Sequence, residues 1–289
     1  RWPNELFYGC ENLARVTIPE QVAYIGQNVF WECDAIWQVK YEAIDATIAG
    51  GIFGQHAGRP VEFECSFIVG DQVTRIPAGV FNYNTTLTEL VLPPSVECID
   101  DQAFSGCQNL RSIYLPDQVR KIGAEAFGYC SSLTEFHWPL YLEEVGVQAF
   151  RWCESLQEIS LPEGTKVLGE QAFQKCDAVR SIYLPSTLEY IGDVPFNFSP
   201  KEKVRITSAS PVPPVPTEGD RLWNFYYTVS DVAYMKVPEK SVEEYRNNPY
   251  WNKYASVIIP IQEISAPRMK SETTFSDAIQ EQTDLTDAV

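Results

Sequence analysis

Apolar positions in this chain return with a period far longer than that of a strand or a helix. Ala103-Phe104, Ala126-Phe127, Ala149-Phe150 and Ala172-Phe173 are separated by 23 residues at each step. Phe81 and Phe196 extend the series at its two ends, and Phe7 and Phe30 form a second run with the same spacing. From Phe30 to Phe81 the step is 51 residues, so one irregular repeat of 28 lies between them. A fixed period of this length predicts a solenoid, because no single repeat can bury its own apolar face.

The stretch from Leu110 to Cys130 shows what one repeat does. Leu110, Ile113 and Leu115 follow the L-x-x-L-x-L spacing of a leucine-rich-repeat strand, with Tyr114 on the opposite face. Pro116 ends the strand, since it has no ladder hydrogen to donate. Val119 and Ile122 then point inward from a second, short extended segment, and Gly123 makes the corner. Ala126, Phe127 and Cys130 share one side of a predicted single helical turn, and Leu133 opens the next strand. Stacked coils pair as one long parallel sheet at about 4.8 Å spacing. Each coil buries six or seven apolar side chains, worth roughly 1.5–3 kcal/mol apiece before entropy is subtracted.

The columns agree from coil to coil. Val16, Leu90, Ile113, Phe136, Ile159 and Ile182 are apolar, as are Ile18, Leu92, Leu115, Trp138, Leu161 and Leu184, each of the latter followed by proline. The next inward pairs are Val96/Ile99, Val119/Ile122, Leu142/Val145, Thr165/Leu168 and Leu188/Ile191. Six of the eight cysteines, Cys10, Cys33, Cys107, Cys130, Cys153 and Cys176, fill one inward column, which reads as a ladder of reduced, buried thiols. Cys65 and Cys98 fall off that ladder and read as unpaired too.

Taken in order, residues 1–203 form the repeat solenoid, irregular over 41–80, where Asp45 to Pro60 is small and Gly-rich and Phe53 is a residual member of the Phe column. After Phe196 the pattern fails. Residues 204–262 read as a capping unit: a strand from Val204, a linker Pro211 to Pro216, a strand Val232 to Val237, a helix N-capped by Ser241, and a final strand Ser256 to Ile261. Such a unit covers the apolar layer and sheet edge that a solenoid otherwise leaves open. Residues 263–289 are acidic and aperiodic, the composition of a disordered tail.

Composition narrows the partners. At 289 residues and 45% apolar content there is material for a large core. A formal charge of -17 argues against nucleic acid and against an anionic membrane surface. No apolar run reaches the roughly 18 residues a membrane helix needs, so no membrane insertion is expected of this segment. The chain opens inside a repeat, so an export signal or anchor is expected upstream of residue 1. No Cys/His spacing suggests zinc, and His56 and His137 are the only histidines, so neither a metal, a cofactor nor a catalytic triad is expected.

The unit Leu-x-x-Ile-x-Leu-Pro-x-x-Val-x-x-Ile-Gly-x-x-Ala-Phe-x-x-Cys at 110–130 resembles the BspA-like leucine-rich repeat, abundant in gut and oral Bacteroidetes and expanded in some parasitic protists. The stretch Val237 to Arg246, with Trp251 after it, is similar to the closing segment of Bacteroides members. The resemblance covers about residues 1–262. It implies a protein that is extracellular or attached to the cell surface, and in some members adhesion to host matrix proteins or to other bacteria. No binding residue carries across, because the shared positions are core positions.

Candidate binding residues therefore come from the outward face of the long strands. Thr17, Val91, Tyr114, His137, Ser160 and Tyr183 form one column, flanked by Arg15, Glu89, Ser112, Glu135, Glu158 and Ser181. Tyr114, His137 and Tyr183 beside Glu135 and Glu158 suit a protein or glycan ligand on host or neighbouring bacterial cells. The plain alternative for this column is β-propensity on a solvated face. Glu135 and Glu158 are expected on adjacent coils, near the spacing of a retaining glycosidase pair, but an open sheet without an enclosing pocket argues against an enzyme. The functional expectation is a monomeric, non-enzymatic recognition or adhesion module. The alternative is a structural spacer or stalk presenting another module at the surface.

Overall fold

The computed structural model describes residues 1–52, 66–213 and 231–261. Phe53, His56, Cys65, the second half of the proline linker and the acidic tail lie outside these residues. Each regular coil carries one longer and one shorter strand: β1 (Arg15–Ile18) and β2 (Tyr24–Ile25), β3 (Gln38–Tyr41) and β4 (Thr47–Ile48), β5 (Ser66–Val69) and β6 (Arg75–Ile76), β7 (Glu89–Val91) and β8 (Cys98–Ile99). The series continues with β9 (Ser112–Tyr114) and β10 (Lys121–Ile122), β11 (Glu135–His137) and β12 (Glu144–Val145), β13 (Glu158–Ser160) and β14 (Val167–Leu168), β15 (Ser181–Leu184) and β16 (Tyr190–Ile191). All pairings among described strands are parallel, so the chain is a β-solenoid with repeats of about 23 residues. The irregular repeat keeps the stack, since β3 pairs β5 with Gln38 opposite Ser66.

Burial follows the columns. Ile113, Leu115, Val119, Ile122, Ala126, Phe127 and Cys130 are all at most 2% exposed. The Phe rings stack from coil to coil, with centroids 5.1 Å apart for Phe81–Phe104, 5.2 Å for Phe104–Phe127 and 5.3 Å for Phe127–Phe150. Gly146 shows why one corner of the coil stays glycine. A Cβ there would lie 2.6 Å from the Gly123 carbonyl carbon of the preceding coil, so backbone approaches backbone with no room for a side chain.

Two features differ from the expected coil. The Phe-bearing segment is a run of tight turns, not a helical turn; in one coil Phe127 and Tyr129 donate across to Ala149 and Arg151, while Gly128 and Cys130 bond back within their own turn. Left-handed backbone recurs there at Gln102, Glu125, Gln148 and Gln171, and again at Tyr83, Tyr129, Trp152 and Lys175. For a residue with a Cβ this costs roughly 1–2 kcal/mol. The ladders also run on two sides of the coil instead of one. The short strands β6 to β16 make one continuous six-stranded sheet, while the long strands fall into the groups β1-β3-β5, β7-β9-β11 and, from β13 onward, a five-stranded sheet.

The coil of β11 is the aromatic one in the regular array. Where its two neighbours carry Ile and Leu, this one carries Phe136 and Trp138. Phe136 packs edge-on against both Phe127 and Phe150, and Trp138 reaches Phe150 and, a coil further, Phe173.

At the C-terminal end β17 (Val204–Ser208) and β18 (Val232–Pro238) continue the sheet, and β19 (Ile258–Ile261) closes it. The helix α1 (Val242–Asn247) follows Ser241 as expected, but the Ser241 hydroxyl does not cap it. It donates instead to Pro211 O at 2.5 Å, pinning the helix start to the chain that leaves β17. Tyr245, Trp251 and Tyr254 are fully buried, and the Tyr245 hydroxyl bonds Ser208 Oγ and Ser210 O at 2.8 and 3.0 Å.

Candidate ligand-binding face

Parallel pairing places equal positions of neighbouring coils side by side, so outward residues form rows. The register sets His137 of β11 opposite Tyr114 of β9. Their rings stack with centroids 4.4 Å apart and planes inclined by 11°. Asp117, just past the strand and Pro116, lies beside the pair: its Oδ1 is 3.6 Å from His137 Nε2, beyond hydrogen-bond reach, and accepts the Leu140 N–H at 3.2 Å. Burial, and then the Asp117 charge, raise the Tyr114 pKa above its ordinary value, keeping the phenol a neutral donor.

Tyr183 of β15 is held by a hydrogen bond. Its hydroxyl donates to Glu163 Oε1 at 3.1 Å, and Glu163 also accepts the Ser186 N–H and, at 2.8 Å, the Ser186 hydroxyl. Burial pushes the Tyr183 hydroxyl up to about 12, with Glu163 adding to it. Asp117 and Glu163 were missed as participants in the sequence, although each directly follows the strand-ending proline in the same repeat column.

The five candidate residues are divided between two hydrogen-bonded ladders on successive coils. Tyr114, His137 and Glu135 belong to the β7-β9-β11 sheet, whereas Glu158 and Tyr183 belong to the sheet that starts at β13. Glu135 faces Ser112 in the ladder and Glu158 faces Ser181; the two carboxylates sit on adjacent coils but are not ladder partners, since β11 and β13 do not pair. Both are exposed. Ser160, expected to point outward, is 9% exposed. Among the described residues no group of three or more His, Cys, Asp or Glu is placed to hold a metal ion, and no helix is long and apolar enough to cross a membrane.

Parallel coils around a Phe and Cys interior, with polar rows outside, define a leucine-rich-repeat β-solenoid. The chain belongs to the BspA-type leucine-rich repeat family: six copies of the family's repeat region match residues 3–63 and 74–203. Among solved structures it is similar to a leucine-rich repeat protein from Bacteroides ovatus ATCC 8483, with 18% identity, a TM-score of 0.51 and 83% of this chain covered. The match spans 65% of that protein. The pneumococcal vaccine antigen PcpA also matches, with 13% identity, a TM-score of 0.46 and coverage of 88% of this chain and 68% of that one. No curated protein matches the chain in sequence.

Proposed function

We propose that the protein is a non-enzymatic recognition module working outside the cell or at its surface, with the long-strand face as a platform for a protein ligand. The observation that carries this is the Tyr114–His137 ring pair, stacked at 4.4 Å with the Asp117 carboxylate 3.6 Å from the imidazole. Rigid aromatics lose little entropy on binding and dominate interface energetics. Tyr183, held by Glu163, is a further ring along the platform. Family membership supports the extracellular setting. Acidic neighbours Glu135 and Glu158 favour a partner surface bearing lysine or arginine.

The test is binding of purified chain to a panel of immobilised matrix proteins. Tyr114→Ala with Tyr183→Ala should weaken any saturable binding by about tenfold or more, equivalent to 1.4 kcal/mol. Lys121→Ala with Glu144→Ala, a pair bridged at 2.9 Å on the short-strand sheet, should leave it unchanged. Loss with the second pair and not the first would move the site to the other sheet. Binding untouched by both pairs would favour the spacer reading.

A further inference from the structure

The turn that leaves β11 departs from the polar character of its column. The two residues after the strand-ending proline are Asp117-Gln118, Glu163-Gly164 and Ser186-Thr187 in the coils of β9, β13 and β15. In the coil of β11 they are Leu140 and Tyr141, 45% and 48% exposed. Among the described residues these are the one consecutive pair of large apolar side chains left in solvent.

The turn itself does not require them. Asp117 Oδ1 accepts the Leu140 N–H at 3.2 Å, and Asp117 O accepts the Tyr141 N–H at 3.1 Å. Two coils further, Glu163 holds the Ser186 N–H at 3.1 Å in the same manner, so the same turn forms with serine and threonine. Leu140 and Tyr141 also have company. The Asp117 carboxylate that holds Leu140 lies 3.6 Å from His137 Nε2, which places the Tyr114–His137 pair beside the turn. A contiguous exposed apolar group of this kind marks an interaction surface, where a single exposed residue would not.

Space and charge describe what the surface fits. In the coil after Tyr141 the equivalent residue is Gly164, where a Cβ would meet nothing nearer than Leu142 O at 3.9 Å. The side of Tyr141 toward Gly164 is therefore open, a step the size of the missing side chain. Asp117 and Glu163 flank Leu140 in its own column, and Glu135 and Glu158 are exposed on the adjoining strands. Among the described residues none of these four carboxylates is paired with lysine or arginine, whereas Arg120 and Lys121 are taken up by Glu143 and Glu144.

Resting on the long-strand face as a protein-binding platform, we propose that Leu140 and Tyr141 are its apolar anchor and that the partner presents a basic amphipathic segment. Apolar residues of that segment pack over the turn and Gly164, and its lysines or arginines meet the four carboxylates. Both halves are needed. Charge alone steers a polycation but is screened beyond a Debye length of about 8 Å at physiological salt, whereas desolvated Leu and Tyr contacts hold the complex together. The formal charge of -17 argues against an anionic membrane as the occupant.

The experiment titrates the full chain by calorimetry with a synthetic amphipathic leucine–lysine peptide and with a lysine-only peptide of equal charge. The leucine–lysine peptide should bind saturably, and the lysine-only peptide about tenfold more weakly or worse. Leu140→Ser with Tyr141→Thr copies the turn at Ser186-Thr187, so circular dichroism should show this variant folded. It should weaken binding of the leucine–lysine peptide by about tenfold or more and leave that of the lysine-only peptide unchanged. No saturable binding, equal affinity for the two peptides, or unaltered affinity in the turn variant would overturn the anchor. Affinity that falls in Tyr114→Ala with Tyr183→Ala but not in the turn variant would discard the anchor and keep the platform. The reverse would keep the anchor and discard the tyrosines as its platform.

Discussion

A thiol in the Cys column does two jobs that leucine would not. It fills a small buried space, and it donates to a carbonyl of the preceding coil: Cys107 to Phe81 O at 3.1 Å, Cys130 to Phe104 O at 3.2 Å, Cys153 to Phe127 O at 3.1 Å and Cys176 to Phe150 O at 3.2 Å. In the coil of Phe81 the column holds Asn84, whose buried Oδ1 accepts the Thr86 and Leu87 N–H groups instead. Burial drives the pKa of all four thiols upward, which removes the reactive thiolate. Cys98, off the ladder, is pushed up to about 11, by burial first and then by Asp100. Alkylation of native protein at mildly basic pH should therefore label exposed Cys10 quickly, Cys98 slowly, and Cys107, Cys130, Cys153 and Cys176 only on unfolding. Fast native labelling of the last four would contradict the buried ladder. The column of cysteines was legible as buried thiols except at Cys10, which the structure exposes; their hydrogen bonds were not, because each partner lies 26 residues back in the chain.

Elements follow the same division between what repeats and what does not. Strands β9, β10, β15 and β16 sit where the alternation and the prolines put them, because the repeat states each position several times over. What the repeat does not state is that the long-strand ladder stops between β11 and β13, at the coil where Phe136 and Trp138 pack against Phe150 and Phe173. At the C-terminal end, we propose that β18, α1 and β19 act as the cap. Truncation after Phe196 should expose Ile182, Leu184 and Ile191, which are at most 2% exposed in the intact chain, and promote aggregation detectable by light scattering. A soluble, monomeric fragment with an unchanged melting temperature would remove the cap.

For the whole molecule, stability is a sum over coils and the contacts between neighbours, so recognition on the outside rests on an interior held by stacking. The period of 23 residues was enough to read that interior, down to the 28-residue step that places Gln38 opposite Ser66. The outer surface was less legible. Tyr114 and His137 were identifiable as outward neighbours, but the carboxylates Asp117 and Glu163 beside the rings depend on contacts that no periodicity encodes. Phe127 gives the most direct test of the stack, since its ring lies between those of Phe104 and Phe150 and meets Phe136 edge-on. Denaturant unfolding of Phe127→Ala, followed coil by coil through hydrogen exchange, should show a loss of about 3–5 kcal/mol, with amides in the Phe104 and Phe150 coils exchanging faster and those of β1, β3 and β19 unchanged. A loss below about 1 kcal/mol, or faster exchange confined to the altered coil, would contradict a continuous spine.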